Sequence, residues 1–118
     1  MMKENIIKDK SFKFSLRIIQ LYKELQSNKE YVLSKQLLRS GTSIGANVSE
    51  SEAAITKKDF IHKLSISSKE ARESLYWLEL LEQSQLVALN YSSYIEDVKE
   101  LIRILTSIIK TSQASLKK

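Results

Sequence analysis

Proline is absent from this 118-residue chain, and glycine occurs only at Gly41 and Gly45. Sheets and tight turns draw on both residue types, proline to preset φ and glycine to reach positive φ, so their scarcity directs the chain to an all-α fold. Neither glycine reads as a turn residue, the alternative being a break at Gly41 that divides the segment into two shorter helices. Both lie in R-S-G-T-S-I-G-A-N-V-S-E-S-E-A-A (Arg39–Ala54), between Leu37 and Val48, which share one helical face with Leu33 and Ile44. A mid-helix glycine costs about 1 kcal/mol relative to alanine. Two within one turn predict that another helix approaches closely there.

The remaining periodicity predicts a single domain, an up-and-down antiparallel four-helix bundle, with an ordered core over about 9–113 and flexible basic ends. The first helix is expected from Asp9 or Ser11 to Gln26, with Phe14, Ile18, Leu21, Tyr22 and Leu25 on its buried face. A short link at Ser27–Lys29 implies an antiparallel neighbour, Glu30–Ala54. Thr56, with Asp59 three residues on, caps a third helix from Lys57 to Gln85, whose core side is Phe60, Leu64, Ala71, Leu75, Leu78 and Leu81. Ser65, Ser67, Ser68 and Ala71 strip that side of bulk, and the expected partner of this window is the glycine pair.

After the turn at Leu86–Asn90, the steps of 3 and 4 through Tyr91, Tyr94, Val98, Leu101, Leu105, Ile108 and Ser112 form a heptad seam, the pattern of a left-handed bundle. Ile95, Ile102, Ile104 and Ile109 widen the apolar face beyond that seam. This surplus predicts an external partner, most simply further copies of the chain in a homo-oligomer.

Charge and composition narrow the chemistry. The net charge of +5 sits at the ends: residues 1–13 carry four lysines against two acids, and residues 110–118 carry three lysines and no acid. Residues 14–109 are neutral, so the body has no built-in basic face. Basic ends can attract RNA or DNA with salt-sensitive, sequence-independent affinity. No cysteine is present, which excludes disulfides, thiolate metal sites and a thiol nucleophile. No apolar run reaches the ~20 residues of a membrane span, and the chain reads as cytoplasmic, with no membrane partner.

The polar candidates fall on two helices. Arg39, Ser43, Asn47 and Glu50 line one side of the second. Glu70, Glu73 and Trp77 line the third, interleaved with Lys69 and Arg72. If the small-residue windows meet, Glu50 could accept hydrogen bonds from Arg72 or Asn47. Such a set reads as a structural network, or as a ligand or partner site. A di-iron centre needs two Glu-x-x-His pairs, and His62 is the one histidine; a metal-assisted reading would have to rest on Glu50, Glu70 and Glu73. No catalytic set, cofactor site or metal site follows, and Gly41–Gly45 lacks the G-K-[ST] ending of a phosphate loop. Trp77 beside Tyr76 could stack on a base or a partner, but an aromatic at helical spacing is more often a core or interface residue.

Gln36–Ala54 together with K-K-D-F-I-H-K-L-S-I-S-S-K-E-A-R-E-S-L-Y-W-L-E-L-L (Lys57–Leu81) resembles the four-helix-bundle family of 23S rRNA intervening-sequence proteins. Arg39, Ser43-Ile44, Asn47, Glu50, Phe60, Glu70, Glu73 and Tyr76-Trp77-Leu78 carry the likeness, over about Phe14–Leu105. Ser51 departs from the glycine that many members have after the glutamate. The resemblance implies a ring, typically a homopentamer, with no established enzymatic activity. A related branch serves as accessory protein to a retroelement reverse transcriptase, touching protein and nucleic acid. The expectation is therefore a non-enzymatic, ring-forming scaffold or adaptor with RNA or a nucleic-acid-processing protein as its contact. The alternative is an RNA- or DNA-binding protein acting through its basic termini.

Overall fold

A computed structural model describes residues 3–117. Four helices, α1 (Lys3–Ser27), α2 (Leu33–Ser51), α3 (Lys57–Ser84) and α4 (Ser92–Leu116), form an antiparallel bundle 51 Å long and 24 by 22 Å across. Each helix packs on its sequence neighbours, and α1 closes the square against α4 along the most lightly packed edge. The core holds Phe14, Ile18, Leu21 and Leu25 of α1, Leu37, Ile44 and Val48 of α2, Leu64, Ala71, Leu78 and Leu81 of α3, and Val98, Leu101, Leu105 and Ile108 of α4. Tyr91 is buried beneath them, and its hydroxyl donates to the Val87 carbonyl at 2.8 Å. Burial, with Glu24 and Glu30 nearby, raises the Tyr91 phenol above its ordinary range.

The helix boundaries have local causes. α1 starts at Lys3 rather than at Asp9 or Ser11, because Ile7 and Ser11 extend the buried stripe by two turns. α2 begins at Leu33 rather than Glu30, because Glu30 caps the helix instead of joining it. Its carboxylate is buried and accepts from the backbone N–H groups of Val32 (2.8 Å), Leu33 (3.1 Å) and Ser34 (2.9 Å). Three of the donors that every helix start leaves without intrahelical partners are satisfied by one side chain. Thr56 caps α3 as its spacing predicts, accepting from the Asp59 N–H at 3.1 Å. α3 ends at Gln85 in the left-handed conformation (φ 48°).

The glycines face α1, not α3. A Cβ on Gly41 would lie 2.9 Å from Ile18 Cγ2, and one on Gly45 would lie 3.2 Å from the Ser11 carbonyl oxygen. α2 meets α3 through its serines instead. Ser67 donates to the Ile44 carbonyl at 2.8 Å, and the Ser74 and Ser40 hydroxyls are 2.8 Å apart. Of the window expected to receive the glycines, Ser67 and Ala71 are buried while Ser65 is exposed. Periodicity places Gly41, Ser67 and Ala71 on inner faces, but α2 has two inner faces. No buried side-chain nitrogen or oxygen among the described residues lacks a hydrogen-bond partner.

The isoleucine surplus of α4 is also used internally. Ile95 is buried, and Ile102, Ile104 and Ile109 pack against the core as half-buried residues. Exposed apolar bulk lies instead on α1, at Phe12 (64% exposed), Leu16 (51%) and Ile19 (38%).

Candidate functional site

Two surface features remain once the core is assigned. The first is an ion network on the α2–α3 edge. The α2 stripe turns Arg39 toward α3, where Glu70 and Glu73 stand one turn apart. Arg39 donates to both oxygens of Glu70, at 3.2 and 3.3 Å, and its other amine nitrogen donates to Glu73. Trp77 Nε1 donates to the same Glu73 oxygen at 3.0 Å. The guanidinium thereby offsets repulsion between two carboxylates on adjacent turns. The Glu73 carboxyl is held below the usual carboxylate range, first by the Arg39 hydrogen bond and then by Trp77, and Arg39 is raised chiefly by Glu73. The Arg39 side chain stays half exposed, so the network is worth little as raw stability. Its effect is to fix the Trp77 ring, which forms a T-shaped pair with the exposed Tyr76 ring at 5.2 Å between centroids.

The other sequence candidates disperse. Ser43 Oγ donates to the Arg39 carbonyl at 2.6 Å, and Asn47 Nδ2 to the Ser43 carbonyl at 2.9 Å, both within α2. Glu50 accepts from neither Arg72 nor Asn47; it pairs with Lys63 at 3.1 Å. Arg72 is exposed and in no ion pair among the described residues. The line drawn along α2 thus divides at a physical boundary: Arg39 is long enough to cross to α3, whereas Ser43 and Asn47 reach only their own backbone. Glu50 lies beyond the network, near the end of α2. Among the described residues no three of His, Cys, Asp and Glu converge as metal ligands. No described helix is long and apolar enough to cross a membrane.

The second feature is a groove of about 740 Å³ between α1 and α2. Phe12, Leu16 and Ile19 form one wall; Thr42, Gly45 and Ala46 form the floor. Its α2 side is low because Gly45 has no side chain and Ala46 only a methyl group. Sequence reading missed it. The signal was present in the 12, 16, 19 spacing of α1, outside the stripe that begins at Phe14.

The described residues thus form a four-helix bundle with an ion-paired edge and an apolar external groove. The chain belongs to the 23S rRNA-intervening sequence protein family, whose model matches residues 3–107. It is similar to a crystal structure from Bacteroides thetaiotaomicron, a protein of unknown function from the S23 ribosomal protein family. The two share 51% identity, with a TM-score of 0.88 over 92% of this chain and 99% of that one. No curated protein matches the chain.

Proposed function

We propose that this protein is a non-enzymatic helical scaffold or adaptor that works as a homo-oligomer and presents its outer faces to RNA or to a nucleic-acid-processing protein. The observation that carries this reading is the apolar groove of α1 and α2, an exposed surface shaped for contact. Repetition in an assembly would raise weak contacts through effective concentration. The ring of five that the resemblance implies is one such assembly. The test is native mass by light scattering at low and high salt, followed by partner binding to the assembled species. A salt-resistant oligomer supports the scaffold; a monomer at micromolar concentration overturns it.

A second reading, sequence-independent binding of RNA or DNA, is favoured by where the positive charge gathers. Lys57 donates to Ser115 Oγ at 2.8 Å and Lys8 pairs with Glu52 at 3.3 Å, so the start of α1 and the end of α4 share one end of the bundle. There Lys8, Lys10 and Lys13 are paired with acids, while Lys58, Lys110 and Lys117 are in no ion pair among the described residues. Lys118, also part of the basic segment, lies outside the described residues. Neutralising Lys110 and Lys117 should lower affinity for any RNA alike and flatten its salt dependence by about one unit of slope per lost phosphate contact. Binding that is absent at low salt would eliminate this reading.

A further inference from the structure

Residues 14–109 balance in charge, yet the fold sorts that charge by face. On α3 the acids Glu70 and Glu73 turn toward α2, where Arg39 holds them. The outer face is left with Lys58, His62, Ser65, Lys69, Arg72 and Tyr76, at steps of 4, 3, 4, 3 and 4, all of them exposed. Its three cations are in no ion pair among the described residues. Glu79 is the next residue along the stripe and ends it. The aromatic end is held in place. Tyr76 is 56% exposed although it pairs with Trp77, and Trp77 donates to the Glu73 carboxylate that Arg39 fixes. The Tyr76 ring is thus steadied from within the bundle and open to solvent outside it.

We infer that the outer face of α3 binds single-stranded RNA, with phosphates against Lys58, Lys69 and Arg72 and a base stacked on Tyr76. The inference rests on the nucleic-acid reading above and moves the main contact from the chain ends to a helix face. A single strand offers both things this face complements: a run of phosphates, and unstacked bases whose flat surfaces pack on rings. A duplex offers the first and hides the second. The stripe from Lys58 to Tyr76 is about 27 Å long at 1.5 Å per residue, with the cations between and beyond its two rings, His62 and Tyr76. At Lys58 it runs into the end of the bundle where the Lys57–Ser115 contact gathers Lys110 and Lys117, so a strand laid along α3 continues onto those lysines. Ser65 selects the sugar. Its hydroxyl donates to the Ile61 carbonyl at 2.8 Å, so its oxygen is left to accept, and the ribose 2′-hydroxyl is a donor that DNA lacks.

Fluorescence anisotropy at low salt, with a labelled uridine-rich RNA of about 12 nucleotides, tests this surface. Tyr76→Ala should weaken binding about tenfold and leave its salt dependence unchanged, whereas Tyr76→Phe should bind as the wild type does. Lys69→Gln and Arg72→Gln should each weaken binding and flatten the salt slope by about 0.7, the share of one phosphate contact on a single strand. DNA of the same sequence and an RNA duplex of the same length should both bind more weakly than the single strand. RNA binding that survives substitution of Lys69, Arg72 and Tyr76 but falls with Lys110→Gln and Lys117→Gln overturns this surface and leaves the nucleic-acid reading standing. Equal binding of DNA overturns the choice of RNA, and equal binding of the duplex overturns the stacked base. A wild type that binds no RNA at low salt overturns both the surface and the reading beneath it.

Discussion

α2 is gripped on two sides, and the two grips use small residues in opposite ways. Toward α1 the contact is made by removal: Gly41 and Gly45 have no Cβ, and Ile18 and the Ser11 backbone occupy the space. Toward α3 the contact is made by substitution: Ser40, Ser67 and Ser74 are small, but each spends its hydroxyl on the neighbouring helix or on its own. The glycine seam is a steric fit with no room for error. The serine seam is a set of polar contacts, each worth about 1 kcal/mol and separately removable. Close helix approach therefore does not have one energetic signature, even along a single helix.

The largest test of this contrast is Gly41→Leu, which should drive α1 from α2 and destabilise by roughly 3 kcal/mol or more through overpacking. Urea unfolding measures it; a change under 1 kcal/mol would mean that Ile18 and α1 move aside freely. Next comes Glu30→Ala, which strips the three-donor cap from α2 and loosens both seams at once, at about 1–2 kcal/mol in the same assay. Ser67→Ala should cost about 1 kcal/mol, and its effect should add to that of Ser74→Ala if the serine contacts are as independent as the comparison holds.

Smaller still is Glu73→Gln, which should cost about 0.5 kcal/mol or less near neutrality. Its pH dependence is the informative part. Glu73 binds a proton less readily folded than unfolded, so its stabilisation is present above the ordinary glutamate value of about 4.3 and is lost as pH falls through the lower folded value. The gap between wild type and Glu73→Gln should accordingly close in acid, and a gap constant down to pH 2.5 would show that Arg39 does not hold the carboxylate. Lys29→Gly, at a left-handed position (φ 65°) in the α1–α2 link, should stabilise by a few tenths of a kcal/mol, visible as a small rise in Tm.

Much of this bundle was legible in order and content. The seam from Tyr91 through Ile108, the Thr56 cap and the buried stripes follow from 3.6-residue periodicity, which states which residues share a face. It does not state what that face meets. Gly41 and Gly45 lie within a turn of Ser40 and Ile44, so the spacing was equally compatible with α1 or α3 behind them; the answer depended on Ile18, 23 positions before Gly41. Ile102, Ile104 and Ile109 read as surplus because a heptad template counts only the central seam, while a bundle corner covers a wider arc. Of the polar candidates, Arg39, Glu70, Glu73 and Trp77 come together because Arg39 reaches from α2 to two carboxylates on one face of α3. Ser43 and Asn47 bond to their own helix, Glu50 pairs with Lys63 and Arg72 lies exposed; periodicity states a shared face but does not choose among partners.

The α1–α4 edge has a consequence in time. Three of the four helix contacts join sequence neighbours across links of residues 28–32, 52–56 and 85–91, so they form at little loop-closure cost and favour folding in microseconds to milliseconds. The fourth joins Arg17 to Asp97 across 80 positions, with Arg17 also stacked over the Tyr94 ring at 4.2 Å. Chain entropy delays that edge, so Asp97→Ala should speed unfolding and leave the refolding rate nearly unchanged. The bundle closes like a book whose clasp is fastened last, and the same clasp is the first to give when the protein is pulled apart.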